Sequence, residues 1–139
     1  MIFPKDKSLC HINQAIIVSE ENKKIHKARN EDCCDVYKYK IDGDILSLPS
    51  DGMRCDYMLE NETKKDVYLI ELKGTDVLKA VEQIEATIQK FKTKLSTYSI
   101  NPRIIYRTNT HDIQSSKVIN FRRKYPHTQL KTTLIDEKI

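Results

Sequence analysis

Within "TDVLKAVEQIEATIQKFKTKL" (75–95), Val77, Val81, Ile84, Ile88, Phe91 and Leu95 recur at steps of four and three. That spacing lays one apolar stripe along an α-helix, and a stripe of this length has to be covered by another layer of structure. Thr75 is the expected N-cap, and Lys90, Lys92 and Lys94 suit the negative end of the helix dipole.

The rest of the chain is divided by very few punctuation marks. There are three glycines, and Gly43 and Gly52 each follow an aspartate, in "KIDGDIL" and "PSDGMRC", a pairing that favours the positive φ of tight turns. Residues 13–29 read as a helix with Asn13 as N-cap and Ile17, Ile25 and Ala28 on or near one face, although "AIIV" alone also suits a strand. Residues 35–41 alternate and turn at Asp42-Gly43 into a strand over 44–48. Residues 54–60 follow the second Asp-Gly turn, and the polar 61–65 lead into a strand over 66–73. After the striped helix come a strand at 102–108, a helix at 113–125 closed by Pro126, and a strand at 129–135. The expected order is α-β-β-β-β-α-β-α-β: a single domain over 1–139 of the α/β (α+β) class, a mixed β-sheet flanked by helices.

Composition narrows the function classes. With 39% hydrophobic and 32% charged residues, and no apolar run near the ~20 residues of a membrane span, no membrane partner is expected. The first residues carry no basic leader or small-residue cleavage site, so the expected compartment is the cytoplasm. A net charge of +4 permits a nucleic-acid partner without requiring one. The four cysteines have no paired CxxC spacing, and reduced, partly buried thiols are expected.

The chemistry-bearing residues sit on the two middle strands. In "DVYLIELK", Val67, Leu69, Glu71 and Lys73 share one side and Tyr68, Ile70 and Leu72 the other; on the preceding strand Asp56 alternates with Cys55 and Tyr57. A hairpin through 61–65 brings Asp56 near Glu71 and Lys73. One reading is a solvated strand face with Asp56 as a cross-strand partner. The other is a catalytic constellation, because two carboxylates and an ammonium on central strands are costly to bury unless paired or bound to a metal. Asp56 and Glu71 offer hard oxygen ligands for Mg²⁺ or Mn²⁺, with the Leu72 carbonyl as a further ligand, and Lys73 is placed to orient water or stabilise a phosphorane.

At these residues the chain resembles the PD-(D/E)XK nuclease superfamily, whose fold is the restriction-endonuclease-like one. Asp56 matches the aspartate that starts one core strand, and Glu71-Leu72-Lys73 matches Glu-x-Lys on the next. The element order agrees over most of 13–135. Cys55 stands where the family often has proline. The resemblance implies an active-site role for Gln83, one helix after the lysine, and an acidic residue in the first helix, with Glu20 and Glu21 both open.

The resemblance implies a divalent-metal-dependent nuclease, a hydrolase of phosphodiester bonds, with DNA favoured over RNA. Lys117, Arg122, Arg123 and Lys124 would then contact phosphates, although a charge run is usually just a solvated face. Specificity would come from a homodimer or a partner protein. The alternatives are a catalytically inactive binding module of the same fold and an RNA-cleaving toxin domain.

Overall fold

The computed structural model describes residues 1–72, 76–107 and 111–139. Residues 13–29 form no helix. They build a hairpin of β1 (Ile16–Glu21) and β2 (Lys24–Arg29), paired antiparallel with Glu21 opposite Lys24. The β-branched run Ile16-Ile17-Val18 favours an extended, half-buried chain. Alternation settles the faces: Ile17 and Ser19 are buried while Ile16 and Val18 are exposed, and on β2 Lys24, His26 and Ala28 point inward. The tip is Asn22-Lys23, with φ of 50° and 64°, the two successive positive values of a type I′ turn. Glu20 and Glu21 therefore stand on a strand, which corrects the expectation of a first-helix acid.

β3 (Val36–Lys40) pairs antiparallel with β4 (Tyr57–Asn61), and β4 with β5 (Asp66–Glu71). The strand expected over 44–48 is absent; residues 41–56 form a loop with a single bridge between Asp42 and Leu46. Its polar backbone groups are met locally. Arg54 donates to Asp42 Oδ1 (3.0 Å) and to the carbonyls of Leu48 and Gly52, and Gly52 holds a φ of 85°. The β4–β5 hairpin turns through 62–65, with Lys65 at φ 57° and Lys64 N–H donating to Asn61 Oδ1 (3.1 Å).

α1 (Val77–Lys90) carries the apolar stripe, ending five residues short of the expected limit. Its N-cap is Asp76, whose carboxylate accepts from the N–H groups of Leu78 and Lys79; the expected cap, Thr75, lies outside the described residues. β6 (Ser99–Tyr106) then runs parallel to β5, and α2 (Ser116–Lys124) leads into β7 (Gln129–Thr132), parallel to β6. The last expected strand is two: after Thr133 (φ 69°), β8 (Leu134–Lys138) leaves for the other sheet and pairs parallel with β2.

The result is three layers. A five-stranded mixed sheet, β3-β4-β5-β6-β7, lies between the two helices and a three-stranded sheet, β1-β2-β8. Val67, Leu69 and Met58 pack against Val77, Val81, Ile84, Val118 and Phe121 on the helix side. Tyr68, Ile70, Leu72, Tyr57 and Leu59 pack against Ile17, Ala28 and Ile135 on the other. β5 is thus covered on both faces, which explains its nearly unbroken apolar run. The fold is mixed α+β. Among the described residues no helix is long and apolar enough to cross a membrane.

The two sheets are bound by a buried polar cluster. Arg103 on β6 grips Glu137 on β8 with two nitrogens (2.7 and 2.9 Å), and His26 on β2 meets the same carboxylate at 2.8 Å. Burial pushes the Glu137 carboxyl up, but hydrogen bonds from His26 and Arg103 outweigh it and bring it down to about 2.

Candidate functional site

The β4–β5 register ends with Tyr57 opposite Ile70, so Asp56, the residue before Tyr57, and Glu71, the residue after Ile70, stand at the same end of the hairpin. Both are sequestered from solvent: Asp56 is 3% exposed and Glu71 1%. Asp56 stands just before β4, where the ladder changes character. Its N–H donates to the Ile70 carbonyl (3.1 Å), and its Oδ2 accepts the N–H of Leu72 (2.7 Å). A side-chain oxygen thus replaces a backbone carbonyl as the acceptor beyond the end of the strand, and this holds the Asp56 carboxylate beside β5. Asp56 and Glu71, expected as a pair, both lie buried at this end of the hairpin. The solvated-face reading does not fit them, because neither is solvated.

Helix α1 closes the site from one side. Thr87 is buried on it; its hydroxyl accepts the N–H of Cys55 (2.8 Å), the residue before Asp56, and donates to the carbonyl of Gln83 (2.8 Å). Gln83 is therefore one turn of helix from a point fixed against the Asp56 segment. Its Oε1 is buried and has no hydrogen-bond partner among the described residues. An acceptor in that state costs stability.

From the opposite layer comes a residue that the strand pattern did not single out. Lys24 is 3% exposed at the start of β2, on the inward face with His26 and Ala28. Burial lowers the pKa of its ammonium; the negative charges of Glu71 and then Asp56 oppose that, and Arg107 reinforces it. Arg107 follows the last residue of β6. The site therefore gathers at the carboxyl ends of the parallel strands β5 and β6, the place where open α/β sheets bind ligands. Lys24 was hidden in sequence because residues 13–29 suit a helix by period. The signal that could have exposed it is Asn22-Lys23 after a β-branched run, a hairpin tip.

Not every expected member is in place. Lys73, with Gly74, lies outside the described residues. Glu20 is exposed, while Glu21 accepts a hydrogen bond from the Tyr57 hydroxyl (3.1 Å). Lys117 is paired with Glu82 of α1. Arg122, Arg123 and Lys124 form the exposed last turn of α2, which runs back from the end of β6 toward the start of β7. That turn stands at the C-terminal end of α2, away from the end that follows β6. At Leu72 the N–H is the group bound to Asp56, and nothing among the described residues assigns its carbonyl a role.

No protein-family model matches the chain, and no curated protein or solved structure matches it. The site has to be read from its own chemistry.

The donor set is selective. Among the described residues no three His, Cys, Asp or Glu side chains group together as metal ligands. Two carboxylates from adjacent strands do not make a closed zinc site, but they suit a hard cation that keeps waters and takes remaining oxygens from a phosphate.

Proposed function

We propose that this chain is a divalent-metal-dependent phosphodiesterase acting on nucleic acid, with DNA favoured over RNA. The observation that carries the reading is the burial of Asp56 and Glu71 side by side at the strand ends, with Asp56 fixed by the Leu72 N–H. Two buried carboxylates with one function between them are retained at a cost, and a ligand cation offsets that cost.

A bound Mg²⁺ or Mn²⁺ would supply a water of lowered pKa and neutralise charge on the phosphoryl group. The residues do the rest. Asp56 and Glu71 would hold the cation, and the Leu72 N–H keeps the Asp56 carboxylate from rotating away. Gln83 presents its amide at the rim, where it orients water or substrate. Lys73 enters through the sequence resemblance alone, as the water-orienting or charge-stabilising residue. The order antiparallel hairpin, helix, parallel strand over 57–106 supports a restriction-endonuclease-like core; the hairpin in place of a first helix is a departure from it.

A second reading is an interaction module that keeps the fold without catalysis. Lys24 favours it, since a buried ammonium is the counter-ion that a purely structural acid pair needs.

Plasmid, single-stranded DNA and RNA incubated with Mg²⁺, with Mn²⁺ and with EDTA test the reading, with Mn²⁺ titration calorimetry alongside. Cleavage that disappears in EDTA and in Glu71→Gln supports the phosphodiesterase. A protein that cuts none of the three and takes up no Mn²⁺ is the interaction module.

A further inference from the structure

The β1–β2 hairpin reaches the acid pair by a built connection. Its tip is a type I′ turn, and the residues flanking that turn, Glu21 and Lys24, face each other. Glu21 is tied by the Tyr57 hydroxyl to the residue that follows Asp56. The other side of the tip is tied as well. Ile25 N–H donates to the Thr133 carbonyl (2.9 Å), and Thr133 N–H donates to the carbonyl of Tyr106 (3.2 Å), the residue before Arg107. Lys38 adds a third tether, donating to the Val18 carbonyl (2.6 Å) with its ammonium over the Tyr57 ring. The hairpin end is thus pinned from β4 on one side and from β6 and β7 on the other. Between those pins the inward-facing residue is Lys24.

A lysine is rarely sequestered to this degree without a dedicated partner. It serves no packing need that leucine or methionine would not meet at lower cost. The small sheet could have ended on an apolar residue here; instead it delivers a positive charge to the place where Asp56 and Glu71 are buried.

We propose that Lys24 is the cation that completes the Asp56–Glu71 site, bound to the two acids before ligand arrives and to a backbone phosphate oxygen once it does. The inference rests on the phosphodiesterase reading of the same site and adds a residue from the other sheet. Lysine suits the task because its ammonium is a compact charge on a flexible stem and can move from carboxylate to phosphate without breaking a fixed fork of bonds. Arg107, exposed beyond β6, adds positive potential at the mouth.

The test combines unfolding, metal binding and nucleic-acid chemistry on the full chain. In EDTA, Lys24→Met strands two buried acids and lowers the urea midpoint, and Lys24→Met/Glu71→Gln recovers part of the loss. Lys24→Arg keeps the charge and the fold, and provides the working variant if Lys24→Met is too unstable. Lys24→Met is expected to bind Mn²⁺ at least as tightly as the parent, because a competing positive charge is removed. With a fluorescein-labelled DNA duplex, single strand and RNA, in Ca²⁺ for binding and Mn²⁺ for cleavage, Lys24→Met is expected to lose about 100-fold in cleavage, with Lys24→Arg between it and the parent. Additive unfolding effects, or a folded Lys24→Met that cleaves at the parental rate, overturn the inference and leave the phosphodiesterase reading standing. A parent protein that takes up no Mn²⁺ and cleaves no nucleic acid overturns that reading, and the inference with it.

Discussion

The N–H of Leu72 donates to Oδ2 of Asp56 at 2.7 Å, so the backbone of one central strand holds the carboxylate that begins its neighbour. This bond separates the structural duty of Asp56 from its chemical one. Asp56→Asn retains an oxygen for Leu72 and is expected to stay near parental stability while losing Mn²⁺ uptake. Asp56→Ala leaves a buried N–H unmet and is expected to cost about 1–3 kcal/mol as well. Urea unfolding and calorimetry on the two variants check the split.

Gln83 offers the opposite case. Its buried Oε1 has no partner among the described residues, so Gln83→Leu removes an unmet acceptor from the helix rim. Stability is expected to hold or rise by about 1 kcal/mol, while metal-dependent cleavage falls. Equal cleavage by the variant would remove Gln83 from the site.

Acid stability should report on the clamp between the sheets. Because His26 and Arg103 hold the folded-state pKa of Glu137 at about 2, below its ordinary 4.5, the unfolded chain takes up that proton first as pH falls. The contribution of Glu137 is therefore complete above the ordinary carboxylate range and is lost between about 4.5 and about 2. Urea midpoints of the parent and Glu137→Gln, measured from pH 6 to 2, should converge across that window.

The same clamp is sensitive to geometry. Arg103→Lys keeps the charge but cannot hold Glu137 with two nitrogens while donating to the carbonyls of Pro102 and His127. Arg103→Met leaves a buried carboxylate with half its support and is expected to cost about 3–5 kcal/mol by denaturant unfolding, with Arg103→Lys between it and the parent.

At the hairpin tip, Lys23 holds a φ of 64°, which a residue with a Cβ adopts only at a cost. Lys23→Gly is expected to raise the thermal midpoint, and Lys23→Val, β-branched in a left-handed position, to lower it. No change in either would place the tip in another turn.

How much of this was legible depends on what each residue's neighbours were. The stripe from Val77 to Leu95 carries its own periodicity, and α1 lies inside the expected limits. Asp56 and Glu71 were legible as a pair because an antiparallel hairpin is a local object with a short loop. Residues 13–29 were not, although β1 and β2 pair locally, because Ile16-Ile17-Val18 gives the same apolar count on a helix face or a strand and the strand that extends their sheet, β8, is distant in sequence. The continuous "QLKTTLI" concealed a change of sheet at Thr133, since leaving one sheet for another alters the neighbours of a strand and not its propensity. Lys24 follows from that blind spot: the charges that act on it, Glu71, Asp56 and Arg107, are all distant in sequence.

The position of β8 also sets a timetable. β2 lies between β1 and β8, and His26 meets Glu137 across 111 positions of chain. During synthesis the hairpin, the acid pair and both helices are all made before the strand that seats the small sheet exists. Until β8 is made, a nascent chain ties the cover over Asp56 and Glu71 through Lys38 and Tyr57 but lacks the β2–β8 pairing, a long-range contact of the kind that forms slowly.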